Sequence, residues 1–72
     1  MEITPEQSRG ARGLLDWSQG ELGTAANLSE STIRDFEKGR RTPGINNLAA
    51  IRAALETAGV EFINGTGVKL RK

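Results

Sequence analysis

Seventy-two residues, 36% of them apolar and 26% charged, fit one small globular domain and leave no length for a second core. With no Cys and no His, disulfide staples, thiol catalysis and the usual zinc ligands are all excluded. The net charge of +1 announces no nucleic-acid or membrane partner by itself, and an unstapled domain of this size is expected to associate with a second copy.

Thr4-Pro5-Glu6-Gln7 is a helix start, with Thr as cap, Pro at the first helical position, an acid in the first turn and Gln at the capping-box position. The first helix is predicted to run to about Asp16, with Ala11, Leu14 and Leu15 apolar and Trp17 just beyond, as a core residue or an interface anchor. Gly10 and Gly13 each weaken it by about 1 kcal/mol relative to Ala. They either permit close packing or are tolerated drift. Arg12 falls near the buried edge, where a charge needs a partner.

The stretch from Ser18 to Gly39 reads as two short helices and a tight turn. Ser18 caps the first of the pair, over about 19–26, and Glu21 completes a capping box. Leu22, Ala25 and Ala26 share a face. Gly23 would let the two helices cross closely. Asn27 tolerates the left-handed conformation of a helix stop. Leu28 would plug the turn. Ser29 caps the next helix, over about 30–38, in which Ile33 and Phe36 face inward. Glu30, Ser31, Arg34 and Asp35 are left outside, with Thr32 near the first turn. This is the outline of a helix-turn-helix, whose second helix can enter the DNA major groove.

After Gly39 and the loop Arg40-Arg41-Thr42-Pro43-Gly44, a fourth helix is predicted over about 45–58. Ile45, Leu48, Ala49, Ile51, Ala54, Leu55 and Ala58 form its apolar stripe, and Gly59 ends it. The tail then changes period. Strand-like runs at 60–63 and 68–71 flank Asn64-Gly65-Thr66-Gly67, a hairpin pattern. Two isolated strands are marginal, so Val60, Phe62, Ile63, Val68 and Leu70 must pack on the helices or meet another chain.

Charge is unevenly placed. Arg34, Lys38, Arg40 and Arg41 lie within eight residues against Asp35 and Glu37, leaving six basic and seven acidic residues elsewhere. Such a patch can meet phosphates, and it is equally what a solvated helix end carries. An aromatic share of 4% with no Tyr argues against single-strand binding, which uses stacking platforms. There is no His base, no Lys-Ser pair at motif spacing and no phosphate loop, so no enzyme is expected.

The pattern Trp17-Ser18-Gln19, Glu21-Leu22, Leu28-Ser29, Ser31, Ile33, Glu37, Gly39, Arg41 and Pro43 resembles the lambda-repressor/Cro-like (XRE-type) helix-turn-helix family over about residues 4–59. The resemblance implies a mainly α fold: a compact bundle of four or five helices containing a helix-turn-helix. The C-terminal β-hairpin lies outside the general family pattern and resembles an extension of some short members. Residues 1–59 would form the DNA-binding domain and residues 60–72 a hairpin extension of it. Two positions depart from the family, Gly23 where Ala is common and Asn27 where Gly is common.

The resemblance also implies roles. Glu30, Ser31, Arg34 and Asp35 match base-reading positions; Arg34 suits guanine, Glu30 suits cytosine, and the acid at Asp35 would be repelled by DNA unless paired. Thr32, Lys38, Arg40 and Arg41 match phosphate contacts. Gln19 would touch a phosphate and buttress the recognition helix. Arg12 and Glu37 match a structural salt bridge beneath that helix, which makes Glu37 structural rather than catalytic. The implied function is a cytoplasmic, sequence-specific regulator that binds double-stranded DNA as a homodimer and represses by operator occlusion. The competing reading is an antitoxin or adaptor-like module whose hairpin meets a second protein, such as a toxin. Neither reading involves a cofactor, a metal or a membrane.

Overall fold

In the computed structural model, which describes residues 2–64 and 67–71, four helices precede two short strands. The helices are α1 (Pro5–Leu15), α2 (Gln19–Ala26), α3 (Glu30–Glu37) and α4 (Ile45–Thr57); the strands are β1 (Val60–Phe62) and β2 (Val68–Leu70). Each start follows its local chemistry. Thr4 and Gln7 form a reciprocal capping box on α1, as do Ser18 and Glu21 on α2, and Ser29 accepts the Thr32 N–H at the start of α3. Gly44 begins α4 without a side-chain cap.

The stops are equally local. Asn27 takes the left-handed conformation (φ 61°), and its N–H and that of Leu28 return to the Gly23 carbonyl and its neighbour. Asp16 ends α1 in the same conformation (φ 58°), a position the sequence did not mark as a left-handed stop. Gly39 and Gly59 complete the set, with φ 75° and 109°.

Leu22, Ile33, Ile51 and Leu55 are fully enclosed where α2, α3 and α4 meet, with Ala11 of α1 and Val60 of β1 beside them. Ile3, ahead of the first cap, joins this core. Leu28 packs on it from the turn, as expected. Gly23 explains how so short a turn closes. A Cβ there would lie 2.7 Å from the Leu28 carbonyl oxygen and 3.3 Å from the Ser29 carbonyl carbon, so the backbone of the turn occupies the space a side chain needs. The two α1 glycines separate in role. A Cβ on Gly10 would meet Val68 Cγ2 at 3.1 Å, whereas one on Gly13 would meet nothing within 4 Å.

Several predicted apolar positions differ. Leu14, Ala25, Ala49 and Ile45 are exposed, Ile45 to 68%. The fully buried residues of α1 are Gln7, Ser8 and Ala11, with polar partners beneath the first two, while Leu15 is half-buried against the core and Leu14 is exposed. Ile45 stands at the first position of α4, one turn before the buried Leu48. Of the helix counts expected, the four-helix alternative is observed among the described residues.

The strands pair antiparallel, with Val60 opposite Leu70, Glu61 opposite Lys69 and Phe62 opposite Val68. Residues Gly65 and Thr66 of the predicted turn lie outside the described residues. The hairpin packs on its own helices. Gln7 Nε2 donates to the Ile63 and Gly67 carbonyls at 3.2 and 3.3 Å, and the Arg71 N–H donates to the Gly59 carbonyl at 2.7 Å. Among the described residues no helix is long and apolar enough to cross a membrane.

The two glycine environments give opposite mutational outcomes. Gly13→Ala, in open helix, should raise stability by about 0.5–1 kcal/mol. Gly23→Val should lower it by about 1–3 kcal/mol, because the added methyls meet backbone that cannot yield cheaply. Urea unfolding of both variants beside the parent measures the two signs.

Candidate nucleic-acid interface

The exposed side of α3 is set from beneath by one carboxylate. The Glu37 side chain is 1% exposed. Its Oε1 accepts from Arg12 Nη2 at 2.7 Å and from Gln19 Nε2 at 3.1 Å. Its Oε2 accepts from Arg12 Nε at 2.9 Å and from Ser8 Oγ at 2.5 Å. Arg12 thus grips the carboxylate through two parallel bonds, and a third from its Nη1 reaches the Trp17 carbonyl at 3.0 Å. The predicted Arg12–Glu37 pair is present, and Gln19 buttresses α3 through it. Ser8 is a partner the sequence reading did not identify; its signal was a hydroxyl four residues before Arg12, on the same helix face.

Burial opposes the charge on Glu37, but the hydrogen bonds from Arg12, Ser8 and Gln19, with the Arg12 charge, outweigh it and hold the carboxyl below its ordinary range. The hydrogen bond to Glu37 raises Arg12 above its ordinary value against a smaller desolvation effect.

With α3 fixed on this seat, Glu30, Ser31 and Arg34 are exposed, and Asp35 and Thr32 are half-buried. Glu30 and Arg34 stand four apart, a spacing at which such residues pair, yet no ion pair joins them. Ser29 Oγ lies 3.1 Å from Ser31 Oγ and 2.8 Å from Thr32 Oγ1, so three hydroxyls cluster at the helix start. Lys38, Arg40 and Arg41 are exposed at the other end. The chain folds back there, and the Arg40 and Arg41 N–H groups both donate to the Asp35 carbonyl, at 2.9 and 3.4 Å. Among the described residues, no carboxylate lies within ion-pair distance of Arg34, Lys38, Arg40 or Arg41. Arg9 of α1 also reaches this end and donates through Nη1 to the Glu37 carbonyl, a contact the sequence reading missed.

The hairpin residues expected to meet a partner divide. Val60 is fully buried in the chain's own core and has no surface to offer. Phe62 and Val68 are half-buried against that core, and Phe62 also faces the Arg52 guanidinium at 4.7 Å. Ile63 and Leu70 are exposed. Glu61 and Lys69 alternate with the buried residues and pair at 3.4 Å, so the outer face of the hairpin is charged. Trp17 is half-buried and borders an open groove floored by Ala25, Ala50, Ala53 and Ala54.

A family model described as Helix-turn-helix matches residues 9–62, more than half of the chain, and the chain belongs to that family. Its lambda-repressor-like fold is similar to a solved solution structure, the DNA-binding domain of the P22 C2 repressor, determined by nuclear magnetic resonance. The two share 29% sequence identity at a TM-score of 0.69, over 76% of this chain and 72% of that one. A comparison with curated protein sequences gives no match.

Because Glu37 titrates lower in the folded chain than in the unfolded one, its contribution to stability is complete above the unfolded carboxylate range. It is lost as pH falls through the depressed folded value. The urea midpoint should therefore fall on acidification, and fall less in Glu37→Gln. At neutral pH Glu37→Ala should cost about 3 kcal/mol, the lower end for a broken buried pair, since Arg12 keeps some contact with water. The double variant Arg12→Met with Glu37→Leu should recover part of that loss, read from the same unfolding curves.

Proposed function

We propose that the protein is a transcriptional regulator that binds double-stranded DNA in a sequence-specific manner, with α3 as the recognition helix. The observation that carries this reading is the unpaired state of the α3 surface. The bases and phosphates of a duplex offer acceptors to Arg34, Lys38, Arg40 and Arg41, and no carboxylate of the chain competes for them among the described residues. Arg34 would bind guanine O6 and N7, Ser31 and Glu30 would read neighbouring base edges, and Asp35 would lie beside them. Thr32, Lys38, Arg40 and Arg41 would hold phosphates. Gln19 uses one amide proton on Glu37 and keeps the other for a phosphate at the α2 start. The likeness to the P22 C2 repressor DNA-binding domain supports the same reading.

The protein would act as a homodimer and repress by occupying its operator. Its longest extent is 30 Å. Recognition helices in successive major grooves stand about 34 Å apart, so one copy does not span two half-sites. The antitoxin or adaptor reading loses most of its support, since Val60, Phe62 and Val68 pack inward and the hairpin's outer face is charged. No residue is assigned a catalytic role. All four lone-pair positions of the buried Glu37 carboxylate are engaged, which leaves it no capacity as a base.

The test is fluorescence anisotropy against the duplex upstream of the protein's own gene, with a scrambled duplex beside it, over a salt series. Clear preference for the upstream duplex, with affinity falling steeply as salt rises, is the expected result. Arg34→Ala should lose about 1–3 kcal/mol on the preferred duplex and little on the scrambled one. Arg41→Ala should weaken both alike. Binding that shows no salt dependence, or no binding to either duplex, overturns the reading.

A further inference from the structure

We infer that Arg9, on α1, is a phosphate-contacting residue of this interface, held in place by the C-terminal turn of α3. The inference rests on the DNA-binding reading and adds to it a residue from outside the helix-turn-helix.

The last carbonyls of α3 are satisfied in order. The Lys38 N–H donates to the Arg34 carbonyl at 3.0 Å, the Arg40 N–H to Asp35 at 2.9 Å and the Gly39 N–H to Phe36 at 3.0 Å. The Glu37 carbonyl is left, and Arg9 Nη1 takes it. That oxygen belongs to the peptide unit joining Glu37 to Lys38. The Arg9 guanidinium therefore stands beside Lys38, on the turn to which Arg40 and Arg41 fold back. Arg9 of α1 thus reaches the helix end whose backbone carries Lys38, Arg40 and Arg41.

A guanidinium has five N–H donors, and this contact uses one. Arg9 is exposed, and no carboxylate among the described residues lies within ion-pair distance of it. Its remaining donors form a planar fork suited to a phosphate. The protein contains a natural comparison for the simpler role of helix cap. Arg71 Nη2 donates to the Glu56 carbonyl at 2.8 Å, at the C-terminal end of α4. That end is about 20 Å along the helix from the loop that carries Arg40 and Arg41. Both arginines cap a helix, but only Arg9 does so within the cation cluster.

The test compares salt slopes of anisotropy titrations on a mixed-sequence duplex, since phosphate contacts are independent of sequence. The proteins are the parent, Arg9→Gln, Arg9→Lys and Arg71→Gln. Arg9→Gln removes the charge and leaves a shorter, uncharged polar side chain, whereas Arg9→Lys keeps the charge without the planar fork. The expected result is a slope lower by about 0.9 in Arg9→Gln, one phosphate fewer, with Arg9→Lys and Arg71→Gln at the parent value. A second readout needs no variant. The Arg9 Nε–H signal of the parent should shift in nuclear magnetic resonance spectra on adding the duplex, while that of Arg71 stays in place. A parent-like slope in Arg9→Gln, an equal loss in Arg71→Gln, or an unmoved Arg9 signal overturns the inference and leaves the DNA-binding reading standing. A parent protein with no salt-dependent duplex binding overturns both.

Discussion

One buried carboxylate governs the geometry of this domain. Glu37 sits on α3, but its four hydrogen bonds come from Ser8 and Arg12 on α1 and from Gln19 on α2. Its backbone carbonyl takes a further bond from Arg9. A helix of eight residues has little stability of its own, and burial of Ile33 and Phe36 holds its inner face to the core. Directional bonds at one point of that helix restrain rotation and tilt together. The direction in which Ser31 and Arg34 project is therefore decided on the opposite side of α3, by residues that never meet solvent fully.

The same economy ties the C-terminal hairpin to the bundle. Three-residue strands in a two-stranded sheet do not persist in water unaided. Here Val60 fills the core, Gln7 holds the carbonyls at both ends of the turn, and Arg71 secures the return strand to the end of α4. Gly10 gives Val68 room to approach α1. The polar inner face of α1 follows from these demands. Gln7 serves the hairpin and Ser8 serves Glu37, and apolar side chains at those positions would deprive the Ile63 and Gly67 carbonyls and Glu37 Oε2 of a hydrogen bond.

Most of the fold was legible because its signals are local. Capping boxes at Thr4–Gln7 and Ser18–Glu21, the left-handed stop at Asn27 and the strand pattern after Gly59 each depend on neighbours within a few residues. The Arg12–Glu37 pair lies 25 residues apart, and only resemblance to a family placed it. What stayed hidden is non-local. Nothing near Leu14 or Ile45 says which side of its helix will be covered, nothing near Arg9 announces a partner 28 residues away, and the only local sign for Ser8 is its place one turn before Arg12. The hairpin was legible as a hairpin, yet the inward commitment of Val60 depends on helices that the tail's own pattern cannot specify.

Charge shows why the sum over a sequence is a poor guide to its surface. The net value of +1 averages cations in different settings, with Arg71 apart from the rest at the end of α4. Arg12, Arg52 and Lys69 are paired with Glu37, Glu56 and Glu61, and their fields close on carboxylates within the fold. Arg9, Arg34, Lys38, Arg40 and Arg41 have no such partner among the described residues and are gathered along α3 and its C-terminal turn. Salt screens exposed charges beyond about 8 Å under physiological conditions, so an approaching polyanion senses the charges nearest to it, here these cations together with Glu30 and Asp35, rather than the net value of the chain. Pairing some cations inside the scaffold while others stand unpaired near one helix end is how a nearly neutral chain can present a locally basic edge.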